Sequence, residues 1–446
     1  MTELRLGGDA APMRLLLVAM VLLVGGVWAW EMLTVARPAA HPLWLARQEL
    51  LTLSGTLAIA LMSLAMYLAS RPLWLEGLLG GMDRVYRTHK WAAILATGFA
   101  LAHWLIEMGD DILKSLVGRA GRVPEEKFSG FLEVLRELAE DAGEWAIYGL
   151  LFMVALSLWR RFPYRPWRFL HQAMPVIYLA LALHAALLAP RAYWQQPVGA
   201  LLAVLLLAGS YGAVRSLFGT IGRARQVSGK ILTVEASAAD VLTVMCQLDQ
   251  PWRGHRPGQF AFLRFEQNEA AHPFTIASAD HGDRLLRFHI KALGDYTRSL
   301  AGRLQPGQPV MLEGPYGRFD LARCQSRRRQ VWIAGGVGVT PFLAWLEALQ
   351  SEPARALAAD FHYCSRDAGR DPFVARLEDL CAGLPGVRLQ VHDASVGERL
   401  AAAALGDLRA AEIWFCGPQG LAEALRSDLR AMGVRPRFHQ EAFALR

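Results

Sequence analysis

Six long apolar runs fill the first half of the chain, at roughly 13–33, 49–69, 89–107, 143–162, 168–189 and 195–217. Each is long enough to cross a bilayer, which takes about 20 residues of helix. In hydrocarbon the backbone must satisfy its own hydrogen bonds, so continuous runs of this length predict membrane-spanning helices. The first run has Arg5 and Arg14 ahead of its apolar core, as a signal peptide does. Its length, and Trp28 and Trp30 at its end, favour a retained helix with an interfacial anchor. Either reading leaves the C-terminal half on the same side.

Loop charges set that side. Arg71, Arg84 and Arg87 lie between the second and third runs, and Arg160, Arg161, Arg165 and Arg168 between the fourth and fifth. Arg215, Arg223 and Arg225 follow the last. The loop at 108–142 is instead acidic, with Asp110, Asp111, Glu125, Glu126, Glu133, Glu137, Glu140 and Asp141. By the positive-inside rule both termini are cytoplasmic, in a multi-pass protein of a bacterial-type inner (plasma) membrane. The net charge of +7 thus reports topology, and no motif points to nucleic acid. An apolar fraction of 53 % over 446 residues is high for a soluble protein and low for one wholly in lipid, so a soluble half is joined to the membrane half. Cysteines 246, 324, 364, 381 and 416 all fall in that second half without C-x-x-C spacing. They read as reduced thiols, neither a disulfide framework nor a zinc site.

The third run, THKWAAILATGFALAHW, carries His89 and His103, and the fifth, HQAMPVIYLALALH, carries His171 and His184. By topology these helices run in the same direction. At 1.5 Å per residue each pair spans roughly 20 Å along its axis. His89 is then expected beside His171 near the cytoplasmic face, and His103 beside His184 towards the outer face. Imidazole is an ordinary axial ligand of haem iron, so two stacked bis-histidine sites suit two haems. The alternative is that His89 and His171 are interfacial residues and the deeper two are satisfied core polars. Ionisable residues inside a membrane are costly, and a second pair at nearly the same spacing favours function. Fourteen residues return to nearly the same helix face, whereas thirteen fall well off it. Pro175 removes the hydrogen bond to the His171 carbonyl, so a kink is expected there. Phe99 and Tyr178, midway between the histidines, either lie between the haems or pack the bundle.

From about 225 the pattern changes to short strands broken by glycine and proline. KILTVEASAADVLTVMCQL reads as a hairpin, followed by RPGQFAFLRF, HPFTIAS, RLLRFHIKALGDYTRSL and EGPYGRF. These fit a small β-barrel. From 330, apolar strands alternate with amphipathic helices, as in a doubly wound α/β domain. There GGVGVTP follows a strand and opens a helix, a setting in which backbone N–H groups can cradle a pyrophosphate. A tight turn uses glycine equally well. Ser365 and Arg366 follow the next strand, where they either hold a ribose 2′-phosphate, favouring NADPH, or form a plain polar loop. Cys416, ahead of Gly417 and Pro418, either borders a nicotinamide or is a buried small residue.

Taken together, the 89/103 and 171/184 spacings, HPFTIAS, HIKALGDYT, GPYG, GGVGVTP, CGP and the terminal FHQEAF resemble the ferric reductase and NADPH oxidase superfamily, from about the second helix to the C-terminus. The resemblance implies a multidomain membrane protein. A six-helix transmembrane bis-haem domain would occupy 1–218, a β-barrel FAD domain 225–325 and a doubly wound NAD(P)H domain 328–446. The implied cofactors are FAD, two haem b and NADPH (or NADH). His89, His171, His103 and His184 would bind the haem irons. His272, Pro273, Phe274, Thr275 and Ser278 would line the flavin, and Lys291, Gly294 and Thr297 would lie near its pyrophosphate. Gly335, Gly336, Gly338, Thr340 and Pro341 would cradle the nicotinamide nucleotide, with Ser365, Arg366, Gly417 and Pro418 beside it. Phe443 and Cys416 would act where hydride passes. Relatives often carry arginine in place of Lys291 and end nearly on the aromatic, whereas Ala444, Leu445 and Arg446 follow Phe443 here.

The implied activity carries electrons from cytosolic NAD(P)H through FAD and two haems to an acceptor outside. Oxygen, giving superoxide, is favoured over a ferric chelate, because Glu107, Asp110 and Asp111 make the outer mouth acidic. The alternative is a membrane-anchored flavoreductase that serves a cytosolic partner without haem. No obligatory protein partner is implied, and no EF-hand loop is present.

Overall fold

A computed structural model describes residues 11–35, 39–124, 126–159, 161–238, 240–266, 269–325, 327–352 and 357–441. It divides into two compact units, Met1–Ile221 and Gly222–Arg446.

The first unit is helical. Its elements are α1 (Ala11–Thr34), α2 (Pro42–Ala69), α3 (Leu73–Leu79), α4 (Met82–Met108), α5 (Asp110–Val117), α6 (Phe131–Leu158), α7 (Tyr164–His171), α8 (Met174–Leu188) and α9 (Pro197–Leu217). Among the described residues, six helical segments are long and apolar enough to cross a membrane, α7 and α8 forming one of them over Pro166–Leu188. Hydropathy locates these spans but not their ends. The fourth helix begins at Phe131, behind Gly130 at φ +68°, about a dozen residues before its apolar run. The acidic stretch FLEVLRELAEDAG is therefore the first part of the spanning helix α6. Apolarity reports where lipid is, whereas the helix extends as far as its backbone hydrogen bonds do.

Helix α2 is the most buried of the six, and α9 closes on it through glycine. A Cβ on Gly212 would stand 2.2 Å from the Met66 carbonyl oxygen, and one on Gly209 2.8 Å from the Ser63 Cα. Lipid supplies no hydrophobic drive between helices, so close backbone approach through small residues is what holds them. Tyr178 on α8 bonds Ser63 Oγ at 2.9 Å and donates to the Leu206 carbonyl at 3.3 Å. Phe99 packs against the cluster of Val24, Leu57, Ala60 and Leu205. Both aromatics thus serve packing between helices.

The second unit has two layers of chemistry. Six antiparallel strands, ordered β4-β3-β6-β1-β2-β5, form the first sheet. They are β1 (Gln226–Ala238), β2 (Val241–Leu248), β3 (Phe260–Arg264), β4 (His272–Thr275), β5 (Leu285–Lys291) and β6 (Pro309–Tyr316), with helix α10 (Asp295–Leu300) after β5. A bridge between Ile276 and Phe288 brings the two edge strands together, so the sheet closes on a core of Ile231, Val244, Leu263, Phe288 and Leu312. The remainder is a parallel sheet ordered β11-β10-β7-β8-β9. Its strands are β7 (Gln330–Gly335), β8 (Ala359–Ser365), β9 (Val387–Asp393), β10 (Glu412–Cys416) and β11 (Arg437–Glu441). Helices α11 (Thr340–Ser351) and α12 (Val374–Ala382) pack on one face and α13 (Gln419–Ala431) on the other, making the layer doubly wound.

Trp345 on α11 joins the two layers. It is fully buried against Trp332, Phe342 and Trp414, stacks on Phe319 at 5.0 Å, and donates to the Pro257 carbonyl at 2.8 Å. Gly258 is required beside it, because its φ is +96° and a Cβ would stand 2.4 Å from the indole nitrogen. Trp345→Ala is expected to destabilise this unit by about 3–5 kcal/mol, the usual cost of truncating a buried tryptophan. Thermal unfolding of the detergent-solubilised chain, followed by tryptophan fluorescence, measures it.

Candidate functional site

Four histidines of the helical unit meet as two pairs. The rings of His89 and His171 have centroids 6.2 Å apart and planes at 77°. Those of His103 and His184 are 6.4 Å apart at 85°. His89 and His103 share one face of the unbroken α4. Their partners do not share a helix phase, and the chain resolves this by a break. Helix α7 ends at His171, Gln172 and Ala173 form a turn, and α8 restarts with Pro175 at its beginning. That break lets residues thirteen apart face the same neighbour.

Three of the rings are fixed through Nδ1. Nδ1 of His89 donates to the Ala65 carbonyl at 2.8 Å, that of His103 to Leu51 at 2.9 Å, and that of His184 to Ala139 at 2.8 Å. A carbonyl only accepts, so Nδ1 carries the proton and Nε2 presents its lone pair, as in metal-bound imidazoles. His171 differs. Its Nδ1 is buried with no hydrogen-bond partner among the described residues, and its ring stacks on Trp167 at 4.9 Å. An iron held between two imidazoles at about 2 Å, plus about 1.2 Å from each nitrogen to its ring centre, separates the centres by about 6.4 Å. Both pairs fit that span. Among the described residues no group of three or more His, Cys, Asp or Glu could hold an ion unaided, so a pair of imidazoles suits a metal whose other ligands come from a macrocycle.

Beside His103 the acids at the end of α4 are paired. Arg47 bonds Glu107 at 2.9 Å and lies 3.6 Å from Asp110, while Lys114 reaches Asp110 at 2.6 Å and Asp111 at 3.0 Å. Arg122 adds a contact to Asp110 at 3.4 Å. Partial burial raises the Asp110 pKa, but Lys114, Arg122 and Arg47 outweigh it and hold the carboxyl below its usual range. The acidic mouth expected from sequence is therefore offset by three cations, two from the following residues and Arg47 from about sixty residues earlier in the chain.

In the barrel, His272 opens β4 and stacks on Tyr296 at 3.8 Å. Pro273 pairs with Phe262 and Phe274 with Ala261. Thr275 ends the strand with a buried hydroxyl that has no partner among the described residues, a feature that fits a hydrogen-bonding cofactor edge such as that of flavin. Ser278 has another task, its hydroxyl accepting from the Arg287 backbone N–H at 3.2 Å. Thr297 is likewise occupied, accepting from the backbone N–H groups of Leu293 at 2.9 Å and Gly294 at 3.0 Å. It shapes the loop that Gly294 begins.

Strand order puts the nucleotide candidates at one place. β7 is central, the chain winds outwards through β8 and β9, and it returns to β10 on the other side of β7. The crevice beyond the carboxyl ends of β7 and β10 is the topological switch point, where open α/β sheets take ligands. Gly335, Gly336 and Gly338 lie there with Gly417 and Pro418. A Cβ on Gly338 would stand 2.3 Å from the Cys416 carbonyl oxygen, and one on Gly335 2.7 Å from Pro418 Cδ. Gly336 has φ +54°, and Lys291 Nζ ends 3.9 Å from where its Cβ would be. Lys291, expected near the flavin pyrophosphate and paired with Asp240 at 3.1 Å, brings its cation beside the glycine loop at Gly336. Thr340 and Pro341 open α11, the Thr340 hydroxyl donating to Val337 at 3.0 Å.

Other members are less open. Ser365 donates to Asp371 at 2.7 Å, an acceptor shared with the Tyr363 hydroxyl at 2.8 Å, while Arg366 is exposed. Cys416 is fully buried, and burial, then the Glu441 carboxylate, push its thiol well above the usual range. Phe443 lies outside the described residues. Reading the sequence missed Gly55 and Gly143, which stand against His103 and His184, and missed the carbonyls that hold the rings. A glycine within an apolar helix carries no local sign of the ring it faces.

Two family models match the chain. Residues 54–182 match the ferric reductase like transmembrane component, a span holding His89, His103 and His171 and ending just before His184. Residues 226–320 match an FAD-binding domain that includes His272, Thr275, Lys291 and Thr297. The carnitine monooxygenase reductase subunit of Escherichia coli (strain K12) is 27% identical over 184 residues, 40% of this chain and 55% of that protein. The propane 2-monooxygenase reductase component of Mycolicibacterium goodii is 25% identical over 223 residues, 46% of this chain and 64% of its own. The chain thus spans between half and two thirds of the length of these relatives. Among solved structures, the FAD/NAD-binding domain of nitric oxide dioxygenase from Vibrio cholerae is 22% identical with a TM-score of 0.42, over 48% of this chain and 97% of that one. A ferric-reductase-like transmembrane component ahead of an FAD-binding domain is the layout of the ferric reductase and NADPH oxidase superfamily, which this chain resembles in both halves.

Proposed function

We propose that this protein moves electrons from cytosolic NAD(P)H across the membrane to a small acceptor outside, with oxygen reduced to superoxide. The observation that carries the reading is the pair of facing imidazoles at each of two depths, 6.2 and 6.4 Å between ring centres. Bound FAD would turn a hydride into single electrons, and two b-type haems would carry these across the hydrocarbon. The chain's own residues supply position. Gly335, Gly336 and Gly338, with Lys291 beside them, hold the nucleotide pyrophosphate at the switch point. Thr275 offers its unpaired hydroxyl to the flavin edge. His89 with His171, and His103 with His184, would hold the irons, Nε2 being the free lone pair in His89, His103 and His184. Arg225 after the last span, with the arginines of the other short loops, argues for the soluble unit on the cytoplasmic side. The His89 end of the bundle is also the end at which α9 leaves it. Gly212, near the end of α9, packs on Met66, next to the Ala65 that holds His89.

Purified protein is expected to show a reduced-minus-oxidised b-type spectrum and two haems per chain in a pyridine haemochromogen assay. A haem-free chain that still oxidises NAD(P)H would overturn the transmembrane path. It would support the alternative of a flavoreductase anchored in the membrane, which the monooxygenase reductases among its relatives suggest. A second reading, ferric-chelate reduction by the same path, is favoured by Arg47, Lys114 and Arg122, which remove the charge barrier to an anionic chelate. Turnover under air with ferric citrate present separates the two. Superoxide formation in excess of ferrous iron supports oxygen, and the reverse ratio supports the chelate.

A further inference from the structure

We infer that Gly55 and Gly143 are positioning residues for the outer axial histidines, each forming a seat that exists only because the side chain is hydrogen. The inference rests on the bis-haem reading above. The construction appears twice, on different helices. On α2, His103 Nδ1 donates to the Leu51 carbonyl, and Gly55 lies four residues further on. On α6, His184 Nδ1 donates to the Ala139 carbonyl, and Gly143 again lies four residues further on. In a helix the carbonyl of residue i points towards residue i+4. That carbonyl already accepts the helical N–H, and at these two positions the ring that reaches its second lone pair lies over the i+4 residue so closely that only hydrogen fits there.

The clearances are short. A Cβ on Gly143 would stand 2.2 Å from His184 Nδ1 and 2.5 Å from its Cε1. A Cβ on Gly55 would stand 2.9 Å from His103 Nδ1 and 3.0 Å from its Cε1. The His184 ring cannot yield towards its partner, because His103 lies 6.4 Å away across the span that the metal must fill. The inner pair has no such seat. His89 bonds Ala65, four residues before Ala69, and His171 is steadied by stacking on Trp167. A methyl at either glycine therefore acts on the outer site alone, and more strongly at Gly143 than at Gly55.

The test compares wild type, Gly143→Ala, Gly55→Ala and Gly149→Ala. Gly149 is a matched control on α6, where a Cβ would meet only the flexible end of Ile177 at 3.2 Å. Each purified full chain is assayed for haem per chain, low-spin EPR signals, FAD content and anaerobic haem reduction by NADPH. Gly143→Ala is expected to fall from two haems to one, with FAD content unchanged and the remaining haem still reduced by NADPH, which marks it as the inner one. Gly55→Ala is expected to keep both haems and to shift one of the two EPR signals, because its ring must rotate or tilt by less. Gly149→Ala is expected to match wild type. Two haems with both wild-type EPR signals in Gly143→Ala would overturn the inference while leaving the bis-haem reading in place. Equal haem loss in Gly149→Ala, or a remaining haem that NADPH no longer reduces, would overturn it as well. Wild-type protein without haem would overturn both.

Discussion

His184→Leu is expected to abolish reduction of the outer acceptor and to leave hydride transfer from NADPH to flavin at its wild-type rate. This is the result expected if the histidine pairs act in series, because leucine fills much of the volume of imidazole but offers no lone pair to a metal. The ring it replaces is held by the Ala139 carbonyl at 2.8 Å and faces His103 at 6.4 Å. Haem content should fall from two per chain to one, and superoxide or ferrous iron should drop to the background of a haem-free control. Stopped-flow bleaching of the flavin by NADPH measures the first half-reaction separately. Equal loss in both assays would count against the order assigned to the two pairs. A residue in the helical unit should not reach hydride chemistry in the sheet unit unless the fold itself has failed, and retained FAD excludes that failure.

Gly338→Ala should produce the complementary defect. The new methyl would stand 2.3 Å from the Cys416 carbonyl oxygen and 2.6 Å from its carbonyl carbon, both of them backbone atoms in a buried strand end. The loop must move by about an ångström, and misplacement of that size at a reacting centre costs about 100-fold in rate. NADPH oxidation is expected to fall by that factor, while FAD stays bound and dithionite still reduces both haems. Loss of the haems in this variant would mean that it had failed to fold, and normal NADPH turnover would remove Gly338 from the nucleotide cradle.

These two experiments bracket what reading along the chain can reach. GGVGVTP was legible as a loop between strand and helix, because glycine, apolar strand and amphipathic helix are all local signals. That it faces the CGP loop was not, because β7 and β10 become neighbours only through the crossover of the sheet. Ser365 illustrates the same limit. Its place at the end of β8 made it a candidate for a phosphate, and its bond to Asp371, six residues on, at 2.7 Å shows only in the fold. The acidic loop beyond His103 misled for the same reason. Asp110 and Glu107 were visible, whereas Arg47 approaches from another helix about sixty residues earlier.

By itself the sequence determined that the first half crosses a membrane six times and that four histidines lie at two depths within it. It also determined that an antiparallel barrel and a doubly wound sheet follow. Each of these depends on periodicity, run length or loop charge, which act over one turn or one strand and need no distant partner. Tertiary structure alone decided whether a pair thirteen residues apart could face a pair fourteen apart, through the break at Gln172 and Ala173. It alone showed that Gly55 and Gly143 leave room for imidazoles to reach helix carbonyls. The physical reason is that ring orientation and clearance are set by atoms on neighbouring helices, tens of residues away along the chain and less than 3 Å away in space.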